Sequence, residues 1–198
     1  MFQNEDAAGI GLFKLNLRDN EMRRLTTGTD VWATFSPDGK WIVFTRYADD
    51  VALWKVSAEG GEAVKLTNIS GYPLAPAVSP NSRLVAFYLF KNKPSSQIAI
   101  VPIEGGEIVK AFDIALKHSD NEKNVVQWTA DGQAINYTIL RDGISNIWRQ
   151  PIDGSPPSQI TNFTERRIFN FAYSPNGKQL ALSRGTFNRD VILISNFE

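Results

Sequence analysis

The acid–base and nucleophilic chemistry open to this sequence is narrow, because it holds one histidine and no cysteine. His118 lies in the polar stretch Lys117 to Asn124, beside Lys117, Asp120 and Glu122, and reads as a solvated loop residue, not a base or a ligand. The lack of cysteine excludes disulfides, thiolate metal sites and cysteine nucleophiles together. Gly143-Ile144-Ser145-Asn146-Ile147 approaches a nucleophile elbow, but it lacks the final glycine and falls at a hairpin instead of a strand-to-helix turn. No glycine-rich phosphate loop precedes a helix, since no stretch reads as a helix. Asp38, Asp131 and Asp153 belong to turns whose spacing fits no calcium loop. These residues describe a chain that is not an enzyme and calls for no metal or cofactor.

The elements that carry these residues repeat. Val31 to Phe35 is a short apolar run that meets Ser36-Pro37-Asp38-Gly39. Proline sets φ for the first central position, Asp38 can bond its own backbone, and Gly39 takes the positive φ that returns the chain. Trp41 to Arg46 and Val51 to Val56 follow as further strands, and Glu59-Gly60-Gly61-Glu62 turns the chain into a fourth, Ala63 to Thr67. The opening Ser36-Pro37 is answered by Ser79-Pro80, Thr129-Ala130 and Ser174-Pro175, at intervals of about 43 to 50 residues. Eight residues into each copy stands a large apolar side chain: Phe44, Phe87, Tyr137 and Leu182. Gly105-Gly106 and Asp153-Gly154 repeat the later turn, while Arg24-Leu25-Thr26, Lys65-Leu66-Thr67 and Gln159-Ile160-Thr161 repeat the closing strand. Four-stranded units at this period predict an all-β protein, a β-propeller of antiparallel blades.

The expected organisation is one domain over residues 1–198, of about four and a half blades. It comprises a partial blade at 1–28, full blades at 29–70, 71–117 and 118–165, and a three-stranded blade at 166–198 ending with Val191 to Ser195. The partial blade offers only the third strand, Ile10 to Leu15, and the fourth, Met22 to Thr26, which predicts the C-terminal part of a larger propeller. Such a piece would form an open arc with bare end faces near Phe13, Leu15, Phe171, Leu182 and Ile192, through which the isolated chain would self-associate.

Function in a propeller sits on the loops of one face. The links between second and third strands, together with the blade-to-blade links, define a rim that includes Arg46, Lys91, Lys93, Arg141, Arg166, Arg167, Arg184 and Arg189. These form the candidate binding rim for a protein or peptide, although neighbouring Asp and Glu residues offset most of the charge. Lys plus Arg equals Asp plus Glu at 21 each, so no global field recruits nucleic acid or an anionic membrane. Trp54 and Trp148 recur at equivalent places and read as packing between blades. No run approaches a membrane span, and MFQNEDAAGIG has no apolar core of the signal-peptide kind. Absence of cysteine suits a cytoplasmic and a periplasmic setting equally.

The pattern Phe35-Ser36-Pro37-Asp38-Gly39-Lys40, then Ile42 and Phe44, then Leu53-Trp54 with Val56, then Gly60-Gly61 with Leu66-Thr67, resembles the TolB-like, WD-repeat-related propeller repeat over residues 10–198. The segments Asn146 to Gly154 and Lys178 to Gly185 resemble propellers carried at the C-terminus of bacterial Ser/Thr protein kinases or winged-helix regulators. That resemblance implies a bacterial signalling or regulatory protein in which this part binds a protein or peptide. The repeat is also similar to the propeller of prolyl-oligopeptidase-type serine peptidases, which implies a substrate-gating role as the alternative.

Overall fold

The computed structural model describes residues 2–6, 9–91, 96–114, 125–174 and 176–186, and among them every regular element is a strand. The chain folds into consecutive antiparallel meanders. The first joins β1 (Phe2–Asp6), β2 (Gly9–Leu15) and β3 (Met22–Arg24). The second holds β4 (Thr29–Phe35), β5 (Trp41–Tyr47), β6 (Val51–Ser57) and β7 (Val64–Lys65). The third holds β8 (Tyr72–Val78), β9 (Leu84–Phe90), β10 (Ser96–Pro102) and β11 (Lys110–Ile114). The fourth holds β12 (Val126–Trp128), β13 (Ala134–Arg141), β14 (Ile144–Pro151) and β15 (Ser158–Gln159). Last come β16 (Arg167–Tyr173) and β17 (Leu180–Gly185). First strands of successive sheets adjoin, β4 against β8 and β8 against β12, as the blades of a propeller require.

The Ser-x-Asp-Gly motif makes each first turn. The Ser36 hydroxyl donates to Asp38 Oδ1 at 2.6 Å and accepts the Trp41 N–H at 2.9 Å, so one hydroxyl pins both sides of the hairpin. Ser79, Thr129 and Ser174 repeat both bonds with Asn81, Asp131 and Asn176 and with the fifth residue on. Gly39, Gly132 and Gly177 hold φ of 73°, 68° and 69°, as the turn chemistry demands. Ser82 takes the same conformation at φ 57° without being glycine, and its Oγ accepts the Asp38 N–H of the preceding blade. The closing Leu-Thr has an equally defined task. Where the fourth strand stops, the Thr26, Thr67 and Thr161 hydroxyls accept the N–H of Leu12, Leu53 and Ile147.

The turn carboxylates tie the fold to pH. The Ser36 hydroxyl first, and the Lys40 N–H next, hold Asp38 below the usual carboxylate range; Thr129 and the Gln133 N–H do the same for Asp131. Each binds its proton more weakly folded than unfolded, so its contribution is present above about pH 4 and is lost as pH falls through the lower folded value. The double variant Asp38→Asn, Asp131→Asn, which matches the Asn81 and Asn176 turns, is therefore expected to flatten the acid limb of stability. Guanidinium titrations at a series of pH values below 5 measure this, and an unchanged limb would refute it.

The core lies between blades. Phe44 and Phe87 are fully buried and Tyr137 is 1% exposed, whereas Leu182 is half-buried on the last sheet. Phe87 packs with Val43, Leu53 and Leu66 of the preceding sheet. Two findings depart from the sequence reading. Phe2–Asp6, which lacks apolar alternation, pairs with β2 in register Phe2↔Phe13, adding a strand to the first blade. Backbone N–H and C=O groups make that ladder whatever the side chains. Phe13 and Phe171 are 3% and 2% exposed, not bare, because Phe13 lies beneath Arg24 and Phe171 packs with Ile147 and Ile168. Among the described residues no ladder joins the first sheet to the last, while Val191 to Ser195 and Ile192 lie outside them.

Candidate binding site

On the rim face, the expected arginines are tied down by aromatic rings. Arg46 is the penultimate residue of β5, and its Nε and Nη2 donate to Asp30 Oδ1 and Oδ2 at 2.7 and 2.9 Å, with Asp30 wholly buried. Its guanidinium lies 4.7 Å from the Trp54 ring centre and 5.3 Å from that of Phe44. Arg141 ends β13, two positions further along its strand than Arg46 along β5, and stands 5.6 Å from the Trp148 ring. Arg184, in β17, sits 3.6 Å from the Phe163 ring and donates to the Glu165 carbonyl at 2.6 Å. Phe163 also borders a groove of about 240 Å3 with Arg141 and Asn146. The structure thus brings Arg141 and Arg184 to Phe163, while the exposed Arg166, at φ 64°, follows three residues later in the same loop. Arg46 and the exposed Lys91 stand on other blades, and Arg167 is half-buried at the start of β16. Lys93, Arg189 and His118 lie outside the described residues. Ser145 is buried in a strand, its N–H donating to the Arg166 carbonyl, so it forms no exposed elbow.

The same face shows an aromatic cluster that the sequence reading did not single out. Register skips between Val31 and Thr34 in β4, and between Leu74 and Ala77 in β8, are bulges that place Trp32 at φ 50° and Ala75 at φ 52°. The bulge leaves Trp32 partly exposed, 6.2 Å from the Tyr47 ring. Burial first, and the nearby Tyr72 second, push the Tyr47 hydroxyl up from its ordinary range.

A second concavity lies at the opposite end, where the Ser-x-Asp-Gly turns converge. It is a funnel of about 850 Å3 walled by the first strands: Thr34 on β4, Val78 on β8, Trp128 on β12 and Tyr173 on β16. Hydrogen bonds between blades hold that wall. The Trp128 indole N–H donates to the Ala77 carbonyl at 3.0 Å. Gln127 donates to the Phe171 carbonyl at 2.9 Å and accepts the Tyr173 N–H at 3.3 Å. Pro37, Pro76 and Pro80 give flat apolar surfaces, and Asp131 and Arg149 are the charged side chains of the lining. The Arg149 Nε donates to the buried Asn136 Oδ1 at 3.0 Å. Sequence reasoning passed over this set because strands distant in sequence build it. One signal was available: Asn136 stands where the other blades have Val43 and Ala86. Among the described residues no group of three or more His, Cys, Asp or Glu side chains is placed to hold a metal ion. No helix among them is long and apolar enough to cross a membrane.

Sheet order, blade-to-blade core and axial funnel together define a TolB-like β-propeller fold. The chain is similar to the crystal structure of TolB from Acinetobacter baumannii at a TM-score of 0.72 and 19% identity, covering 89% of this chain and 43% of that one. Among curated proteins it is 24% identical over 189 residues to the uncharacterized peptidase YuxL of Bacillus subtilis, covering 87% of this chain and 26% of YuxL. It is 21% identical over 166 residues to the Tol-Pal system protein TolB of Francisella tularensis, covering 83% of this chain and 37% of that protein. The chain therefore spans well under half the length of either curated relative. No family model matches.

Proposed function

We propose that residues 1–198 form one propeller unit that acts without catalysis, binding a protein or peptide as the recognition or sensor part of a bacterial signalling or regulatory protein. The observation that carries this reading is the axial funnel, whose proline, tryptophan and tyrosine walls suit an extended chain. The likeness to a protein named as part of the Tol-Pal system supports it. The rim near Phe163, with Arg141, Arg166 and Arg184, is a secondary contact surface, and isolated chains self-associate through the end sheets.

Panning a displayed library of random peptides on the chain tests the funnel. Bound peptides are expected to lose binding to Ala130→Trp, which fills the mouth from an exposed position. Binding that survives this change, with Arg141→Ala abolishing it instead, would move the site to the rim. The likeness to YuxL favours a second reading, the substrate-gating propeller of a serine peptidase. A reading frame that continues past Glu198 into a hydrolase domain would favour that alternative.

A further inference from the structure

We infer that Arg149, aimed by Asn136, is the funnel's docking point for the side-chain carboxylate of an aspartate or glutamate in an extended peptide. This rests on the reading of the funnel as a peptide site. The argument starts from the repeat. At the position Arg149 occupies in β14, β2 has Lys14 and β6 has Lys55. Lys14 Nζ donates to the Ala58 carbonyl at 2.9 Å and to Glu59 at 3.0 Å, and Lys55 Nζ donates to Glu104 at 2.8 Å. In β10 the position is Ile100, and its cross-strand neighbour Lys110 reaches the Ile152 carbonyl instead. Each of these cations closes onto the turn between third and fourth strands of the following blade. The turn that would answer Arg149 falls outside the described residues. Among the described residues Arg149 has no carboxylate within ion-pair distance, and it lines the funnel.

A second change accompanies the first. The residue paired across the ladder is Val43 opposite Lys55 and Ala86 opposite Ile100, but Asn136 opposite Arg149. Asn136 is 1% exposed, and an amide in an otherwise apolar strand position needs a partner. Its oxygen accepts from the Arg149 Nε, which fixes the guanidinium plane and leaves the terminal nitrogens for a bidentate acceptor. The one carboxylate of the wall, Asp131, acts on Arg149 through space without an ion pair, its Oδ1 being occupied by the Thr129 hydroxyl and the Gln133 N–H. The guanidinium is therefore pre-aimed and, among the described residues, holds no direct ion pair. Arg149 reaches the lining from β14, so a peptide lying against Pro37, Pro80 and Trp128 meets it with a side chain.

The probes are Ac-Pro-Pro-Glu-Pro-Pro-NH2, its Gln counterpart, and the Gln peptide with a free C-terminal carboxylate. Nitrogen-15 spectra of the Arg149 Nε–H and the Trp128 indole N–H read the binding. The Glu peptide is expected to shift both signals and to bind about tenfold tighter than the Gln amide, the effect of one charge-assisted contact. Arg149→Gln should erase that preference, and Arg149→Lys, a point charge without the fork, should keep part of it. Equal affinity for the Glu and Gln amides, or a preference that survives Arg149→Gln, overturns the inference. If those peptides still shift Trp128 and Ala130→Trp still blocks them, the funnel reading stands alone. A free-terminus peptide that outbinds the Glu peptide overturns the side-chain assignment. Absence of any shift removes both readings.

Discussion

Asp30→Ala is expected to destabilise the chain by about 3–5 kcal/mol, the cost of breaking a buried ion pair by removing one partner. Asp30 is fully buried and takes two parallel bonds from Arg46, whose side chain is 16% exposed. Without the carboxylate, Arg46 remains beneath the rim between Trp54 and Phe44 with its Nε and Nη2 unmatched. The double variant Asp30→Leu, Arg46→Met removes both charges and is expected to recover most of the loss. Chemical denaturation of the three proteins measures this, and a double variant as unstable as Asp30→Ala would show that the pair is not the cause. The result bears on function, because it makes Arg46 a fixture of the blade and not a free rim cation.

Phe87→Ala is expected to cost about 3–5 kcal/mol, from lost burial and the cavity left behind. Phe87 is fully buried and packs against Val43, Leu53 and Leu66 of the neighbouring sheet as well as Ala99 and Val101 of its own. The void would therefore open at a blade interface, and amide exchange should accelerate in both the second and third meanders. Acceleration confined to the third would contradict an interface role.

What the sequence displayed well was local chemistry. The turn glycines, the hydroxyl that pins each first hairpin and the apolar residue eight positions on are all specified by a handful of adjacent residues. For that reason Gly39, Gly132 and Gly177, and Phe44, Phe87 and Tyr137, stand where the repeat put them. The rim arginines were visible as charges, yet their stacking on Trp54, Trp148 and Phe163 is tertiary, so their commitment was not. The funnel was hidden more deeply. Trp128, Asn136, Arg149 and Tyr173 read one by one as strand residues, and only the curvature of the sheets brings them to one wall. Phe2–Asp6 was invisible because an edge strand held by backbone pairing needs no apolar pattern.

The lysine contacts between blades also set an order in time. Lys14, Lys55 and Lys110 find their partners 44, 49 and 42 residues further along the chain, never behind them. At ribosomal speeds of about 5–20 residues per second, each partner is made about 2–10 seconds after its lysine. A newly emerged blade therefore waits with an unanswered charge until its successor appears, and the Lys55 ammonium, 5% exposed in the finished fold, stays in water until then. The first three blades are thus each tied to the one translated after it.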